Sequence, residues 1–310
     1  MVEIFLYYLG FGGARFFALF FVFLVVYFTA KTWYHIFYLI RFNTPLPVSL
    51  KVLAQKVVFT FIVIIALTVP LGFMLEKVVL HAKAPEVIFF SEIFLQIDNM
   101  VFGAYIPFWL QSSSNSLKPL FDNLSFLIIT VYRSLPFLLG ILFSLLFVFK
   151  PYYFYKAFIS FFVMFLIGLP LWFFFPAVSP LDAYIDNVLN VPPPLYLQTT
   201  LSEYHPNANV KSYLVSVTAL SEESDNQFFA ITTMPSMHVA WSLLILVFGV
   251  ILWRPLVILL IPYFLLNALA TVYLLQHYTV DIPTGIVVGI VSILIAIVIA
   301  NKKTPKIFLS

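Results

Sequence analysis

His238, in the string MPSMHVAWS, and the pair His277 and Asp281, in HYTVDIPTG, are the residues of this chain best suited to chemistry. Ionisable groups in or beside apolar segments are costly and tend to mark functional sites. His277 and Asp281 are four apart, a spacing that places both side chains on one helical face. A carboxylate there can hold one imidazole nitrogen as a donor and leave the other free to attack. Pro235 and Ser236 precede His238. Ser236 is a good N-cap, which puts His238 in the first turn of a helix and backbone amides of 236–238 beside it. A helix start of that kind can hold an anion. The chain has no Cys, which excludes thiolate nucleophiles, disulfides and Cys-ligated metals. Zinc held by His238, His277 and Asp281 stays open on ligand type, but the H-E-x-x-H spacing of zinc proteases is absent. No metal and no cofactor are expected.

The elements that position these residues follow from composition. Of 310 residues, 63% are hydrophobic and 9% charged, and 37 are Phe. One soluble core cannot hide that much apolar surface, which excludes an ordinary globular enzyme, a disordered chain and a nucleic-acid binder. The expected fold is all-α: a polytopic integral membrane protein with about seven transmembrane helices and a catalytic helical bundle. The seven apolar stretches are 5–28, 57–75, 124–149, 157–175, 237–253, 256–276 and 282–300. Glu3 and the lack of a small-residue cleavage site argue against a cleaved signal peptide.

Charge orients the stack. With seven spans, one side carries Lys31, Arg41, Lys51, Lys56, Lys150, Lys156, Arg254, Lys302, Lys303 and Lys306 and none of the 13 acids. By the positive-inside rule that side is cytoplasmic. His238, His277 and Asp281 then meet at the opposite, extracytoplasmic boundary, because the spans between them run inward and back out. Residues 86–111 are apolar but carry Glu86, Glu92 and Asp98, so an interfacial or re-entrant helix is expected there. The long outer segment 176–234 fits a lid or binding element. The division expected is 1–123, N-terminal spans with the interfacial helix, and 124–310, the catalytic membrane unit. No internal repeat suggests an inverted-repeat transporter.

The motif strings resemble the type 2 phosphatidic acid phosphatase superfamily. PSMH, 235–238, is similar to its PSGH-type second motif, and His277-xxx-Asp281 to its third, with a helix pair between them as in the family. HYTVD looks closest to the sphingomyelin synthase and inositol phosphorylceramide synthase branch. Asp98-Asn99-Met100-Val101-Phe102-Gly103, with Pro107 and Trp109, is similar to an upstream pattern of the inositol branch. The resemblance implies metal-independent chemistry in which His277 attacks phosphorus and forms a phosphohistidine. Asp281 orients and charges that imidazole. His238 protonates the leaving oxygen and then activates the alcohol or water that discharges the intermediate.

Two family features are missing. The Ser-Arg that normally precedes the third-motif histidine is Ala270-Thr271, and the K-x6-R-P first motif has no counterpart, with no Lys or Arg from 157 to 210. The phosphate cradle is therefore expected from Ser236 and its neighbouring amides, from Arg133 in VYRSLP, from Lys118 and from Tyr278. Arg133 has a second reading, as a packing partner of Asp98 or Asp122. Fewer cations favour a phosphodiester over a dianionic monoester. The expected activity is transfer of a phospho-headgroup from a membrane lipid to an alcohol. A lipid phosphate phosphatase using water is the first alternative and a lipid or solute transporter the second. The expected partners are the lipid substrate and the bilayer, with no nucleic acid.

Overall fold

The computed structural model describes residues 84–186, 192–223 and 233–303, with scattered positions between 58 and 82. The expected spans 5–28 and 57–75 lie outside the described residues, apart from isolated positions of the second. In chain order the helices are α1 (Ala84–Phe102), α2 (Ile106–Trp109), α3 (Lys118–Phe149), α4 (Pro151–Phe174), α5 (Leu195–Glu203), α6 (Ala208–Glu223), α7 (Met237–Leu252), α8 (Val257–Tyr273) and α9 (Asp281–Lys303). Among the described residues no β-strand forms; one isolated bridge joins Ser112 and Tyr204.

Prolines punctuate the bundle where a helix start leaves an N–H unpaired in any case. Pro119 lies in the first turn of α3, Pro151 opens α4, and Pro255 sits in the 3-10 turn Arg254–Leu256 that joins α7 to α8. Lys150 is both the end of α3 and the cap of α4, and the two helices pack together. Among the described residues four segments are long and apolar enough to cross a membrane: α3, α4, Arg254–Tyr273 and Asp281–Asn301. The expected span 237–253 forms the shorter apolar helix α7, 16 residues long. At a rise of about 1.5 Å per residue it is roughly 24 Å long, short of the hydrocarbon thickness.

Among the described residues, buried side chains form two clusters. The first gathers the second half of α3 with α4, α7 and α9 through residues such as Phe143, Phe154, Leu244 and Val288. The second gathers α1, α2, α5, α6 and the end of α8 through Leu95, Phe108, Leu197, Val210 and Tyr273. The two motif strings straddle the boundary, since Met237 and Ala240 belong to the first cluster and Leu275 and Tyr278 to the second.

The segment expected as a long loop, 176–234, is helical in much of its described length. It contains a single π turn, Leu181–Ile185, followed by α5 and α6. Polar contacts tie it down. Ser112 and Ser114 donate their hydroxyls to Glu203 Oε2 at 2.9 and 2.7 Å. Asn207 donates to Asp122 Oδ1 at 3.0 Å, and Asn209 to Ser125 Oγ at 2.9 Å. Buried Gln111 donates to the Tyr273 carbonyl at the end of α8. The acid-bearing stretch 86–111 becomes α1 and α2, and α1 is not among the helices apolar enough to span.

Candidate active site

The turn that carries His277 is set by how α8 stops. Leu275 adopts φ 57°, and its N–H donates to the Val272 carbonyl while that of Gln276 donates to Thr271. This is the Schellman pattern, with a leucine where glycine is usual. A left-handed L-residue costs roughly 1–2 kcal/mol. Full burial of the Leu275 side chain in the second cluster offsets that strain. The His277 N–H also donates to Thr271 O, at 3.0 Å, so the cap delivers the histidine directly.

His277 and Asp281 meet, but not as neighbours on one helical face. α9 begins at Asp281, and His277 lies in the turn ahead of it. Asp281 reaches back: its Oδ2 accepts the Tyr278 N–H at 3.0 Å and faces His277 Nδ1 at 3.2 Å. The same nitrogen lies 2.9 Å from the Thr233 carbonyl oxygen. A carbonyl and a carboxylate can only accept, so Nδ1 carries the hydrogen and Nε2 holds the lone pair. Both His277 and Asp281 are buried.

His238 enters from α7. Ser236 caps that helix, with φ −71° and ψ 108°, and its hydroxyl accepts the Val239 N–H at 3.4 Å. The start of α7 lies against the start of α9 at backbone distance. A β-carbon on Gly285 would fall 2.5 Å from the Ser236 carbonyl oxygen and 3.1 Å from Val239 Cβ. The Ser236 N–H donates to the Asp281 carbonyl at 3.3 Å. This approach brings the His238 and His277 rings to 6.0 Å between centroids, at 63°. His238 also stacks on Tyr132 of α3, 4.4 Å away and 8° from parallel. Tyr213 of α6 meets the Tyr132 ring edge-on at 6.1 Å, which links α6 to the histidine through one aromatic ring.

The remaining sequence candidates are placed differently. Arg133 is exposed, donates to Ser216 Oγ at 2.9 Å and lies 5.0 Å over the Tyr213 ring. It pairs with neither Asp98 nor Asp122. Lys118 pairs with Asp122 at 2.6 Å. Neither cation hydrogen-bonds to His238 or His277. The Tyr278 side chain is fully buried in the second cluster, edge-on to Phe94, so its backbone N–H rather than its ring serves the site. Sequence reasoning did not find the Thr233 carbonyl, Tyr132 or Gly285. It had Asp98 as part of an interfacial helix, of an upstream pattern and as a packing partner for Arg133, not as a ligand of the turn. Both Asp98 oxygens accept amides of the turn: Thr279 N–H at 2.8 Å and Val280 N–H at 3.0 Å. Burial raises this acid to about 6, against the lowering effect of the two amides. Among the described residues no group of three or more His, Asp or Glu side chains is placed to hold a metal ion.

The family model described as the PAP2 superfamily matches residues 109–295. No curated protein and no solved structure matches the chain significantly. The family match covers more than half of the sequence and runs through His238, His277 and Asp281, and the chain belongs to the PAP2 superfamily.

Proposed function

We propose that this membrane protein cleaves a lipid phosphate ester through a phosphohistidine and passes the phospho-headgroup to an alcohol. One observation carries the reading. His277 is held through Nδ1 by the Asp281 carboxylate and the Thr233 carbonyl, which leaves the lone pair on Nε2, and the His238 ring lies 6.0 Å away between centroids. Two imidazoles at that separation can flank one tetrahedral phosphate. In the first half-reaction the Nε2 lone pair forms a bond to phosphorus, the ester P–O bond breaks, and His238 gives its proton to the departing oxygen. The approaching phosphate anion favours the imidazolium form of His238 that this step needs. In the second, His238 takes the proton of the incoming hydroxyl, its oxygen bonds to phosphorus, and the P–N electrons return to His277. Asp281 stabilises the positive charge on the nucleophile ring throughout. Amides at the start of α7 are the nearest built-in phosphate donors.

Ala270 and Thr271 stand where the usual third motif has Ser-Arg, so its cation is missing, which supports a phosphodiester of low charge. Charge segregation along the sequence supports an active site on the extracytoplasmic side. The reading is tested with purified protein in mixed-lipid vesicles, by mass spectrometry of products with and without diacylglycerol, ceramide or other alcohol acceptors, before and after EDTA. Headgroup transfer that survives EDTA is expected. Release of free phosphate or phospho-headgroup with every acceptor present would move the assignment to a phosphatase, and loss restored by one divalent ion would favour zinc.

A further inference from the structure

Asp98 stands on α1, in a helix the chemistry above does not use, and it is 1% exposed. Its two carboxylate oxygens take two consecutive backbone amides, Thr279 and Val280, from more than 180 residues away in the sequence. These amides belong to the three-residue connector between His277 and Asp281. The third amide of the connector, Tyr278, goes to Asp281 itself. The next two N–H groups, of Asp281 and Ile282, close onto the Tyr278 and Thr279 carbonyls at 3.1 Å each. Every amide from 278 to 282 is thus accounted for, and two of the five depend on Asp98.

We infer that Asp98 is a positioning residue for the catalytic turn: by taking the Thr279 and Val280 amides it fixes the path of the chain between His277 and Asp281. Asp98 touches neither imidazole, so it acts through the backbone and not by proton transfer. The physical case rests on what would replace it. Buried N–H groups left without an acceptor are costly, and charge-assisted bonds to a carboxylate are the stronger kind. Without them the connector is expected to turn its amides toward another acceptor. The reach of Asp281 Oδ2 to His277 Nδ1, already 3.2 Å, is then lost. An asparagine is isosteric but presents one N–H₂ group to one of two N–H donors, so it can satisfy only one amide. The catalytic role rests on the phosphohistidine reading; the hydrogen bonding does not, and the test separates them.

The experiment compares wild type, Asp98→Asn, Asp98→Glu and the control Glu86→Gln, an exposed acid on the same helix. Hydrogen exchange in vesicles, resolved to single amides, is read at 279 and 280 and, as a check on folding, along α4. Asp98→Asn is expected to speed exchange at 279 and 280 at least about tenfold while α4 is unchanged. Its kcat should fall at least about tenfold with KM little changed, as a misplaced catalytic group predicts. Asp98→Glu should recover part of both effects, and Glu86→Gln should alter neither. Unchanged exchange at 279 and 280 in a folded Asp98→Asn protein overturns the inference, as does faster exchange with undiminished kcat. If Asp98→Asn does not fold, Asp98→Glu decides: wild-type exchange and wild-type kcat together overturn it, because the longer arm cannot keep both oxygens in place. If wild type turns over no lipid phosphate ester, the functional reading fails. The inference is then decided by exchange at 279 and 280, which should be faster in a folded Asp98→Asn protein and unchanged in Glu86→Gln.

Discussion

His277 donates from Nδ1 to the backbone carbonyl of Thr233, 2.9 Å away and 44 residues earlier in the chain. A backbone carbonyl cannot be titrated or mutated away, so it fixes the imidazole tautomer independently of Asp281. In Asp281→Asn the tautomer should persist while the charge that stabilises the imidazolium is gone. Turnover is expected to fall by about 10²-fold. That is less than the loss in His277→Ala, measured side by side on the same lipid ester. Equal losses would mean that the Thr233 carbonyl does not hold the ring.

The two histidines have separable tasks. His277→Ala should abolish turnover of every ester, including one with an activated nitrophenol leaving group. His238→Ala should lose about 10²–10⁴-fold on natural lipids but keep attack on the activated ester, so that a phosphoenzyme accumulates. Acid-labile, base-stable radiolabel on the His238→Ala protein is the readout. More than about a tenth of wild-type activity in His277→Ala would contradict its role as nucleophile.

Gly285 sets the distance between α7 and α9. A Gly285→Ala methyl meets the Ser236 carbonyl at 2.5 Å, a backbone atom that cannot swing aside. The helices must separate, and overpacking of this sort costs about 1–3 kcal/mol. The melting temperature should drop measurably, and kcat should drop by more than the folded fraction explains, because the His238 to His277 spacing widens. An unchanged kcat in the folded variant would show that the spacing is not critical.

Burial raises Asp98 and Asp182 each from the ordinary 3.8 to about 6; the Thr279 and Val280 amides oppose this at Asp98 and the Ser179 hydroxyl at Asp182. Nearby Asp281 pushes the first further up and Asp186 the second. An acid raised in the folded state binds its proton more tightly there than when unfolded. Stability is therefore greatest at or below about pH 4 and declines as pH rises to about 6, then levels. Thermal melts across this window should show that slope, and Asp182→Asn should flatten it. Activity is expected to run the other way, falling as pH drops through about 6, since ionised Asp98 is the form with two accepting oxygens. A flat pH–rate profile between about pH 5 and pH 7 would dismiss that link.

The chain has no Cys, so single cysteines report sidedness without background. Ser202, exposed at the end of α5, and Thr304, in the C-terminal tail, are the positions of choice. An impermeant maleimide on intact cells or sealed vesicles should label Ser202→Cys and spare Thr304→Cys. The reverse pattern would place the site on the cytoplasmic face, and labelling of both would refute the helix parity.

Composition alone determined that the chain is helical and built for a bilayer. The start of α7 is legible at Ser236, because capping chemistry acts within a few residues; the spans expected from 124 and 157 begin six residues earlier, at Lys118 and Pro151, because hydropathy alone does not mark a helix start. The histidines and Asp281 were legible for the same reason: their types and local spacing are properties of short strings. How His277 and Asp281 meet was not. The period of a helix suggested a shared face, whereas the Schellman end of α8 puts the histidine outside α9, and Asp281 folds back to it. Arg133 and Lys118 were read from charge alone, and charge says nothing of direction; tertiary packing turns Arg133 to Ser216 and Tyr213, while Lys118 pairs one helical turn away with Asp122, a local spacing the reading passed over. The Thr233 carbonyl, the Tyr132 ring on His238, the Gly285 approach and the grip of Asp98 on two amides join residues 44 to 182 positions apart. No local pattern encodes such contacts, because they exist only once α1, α3, α7 and α9 have packed around the end of α8.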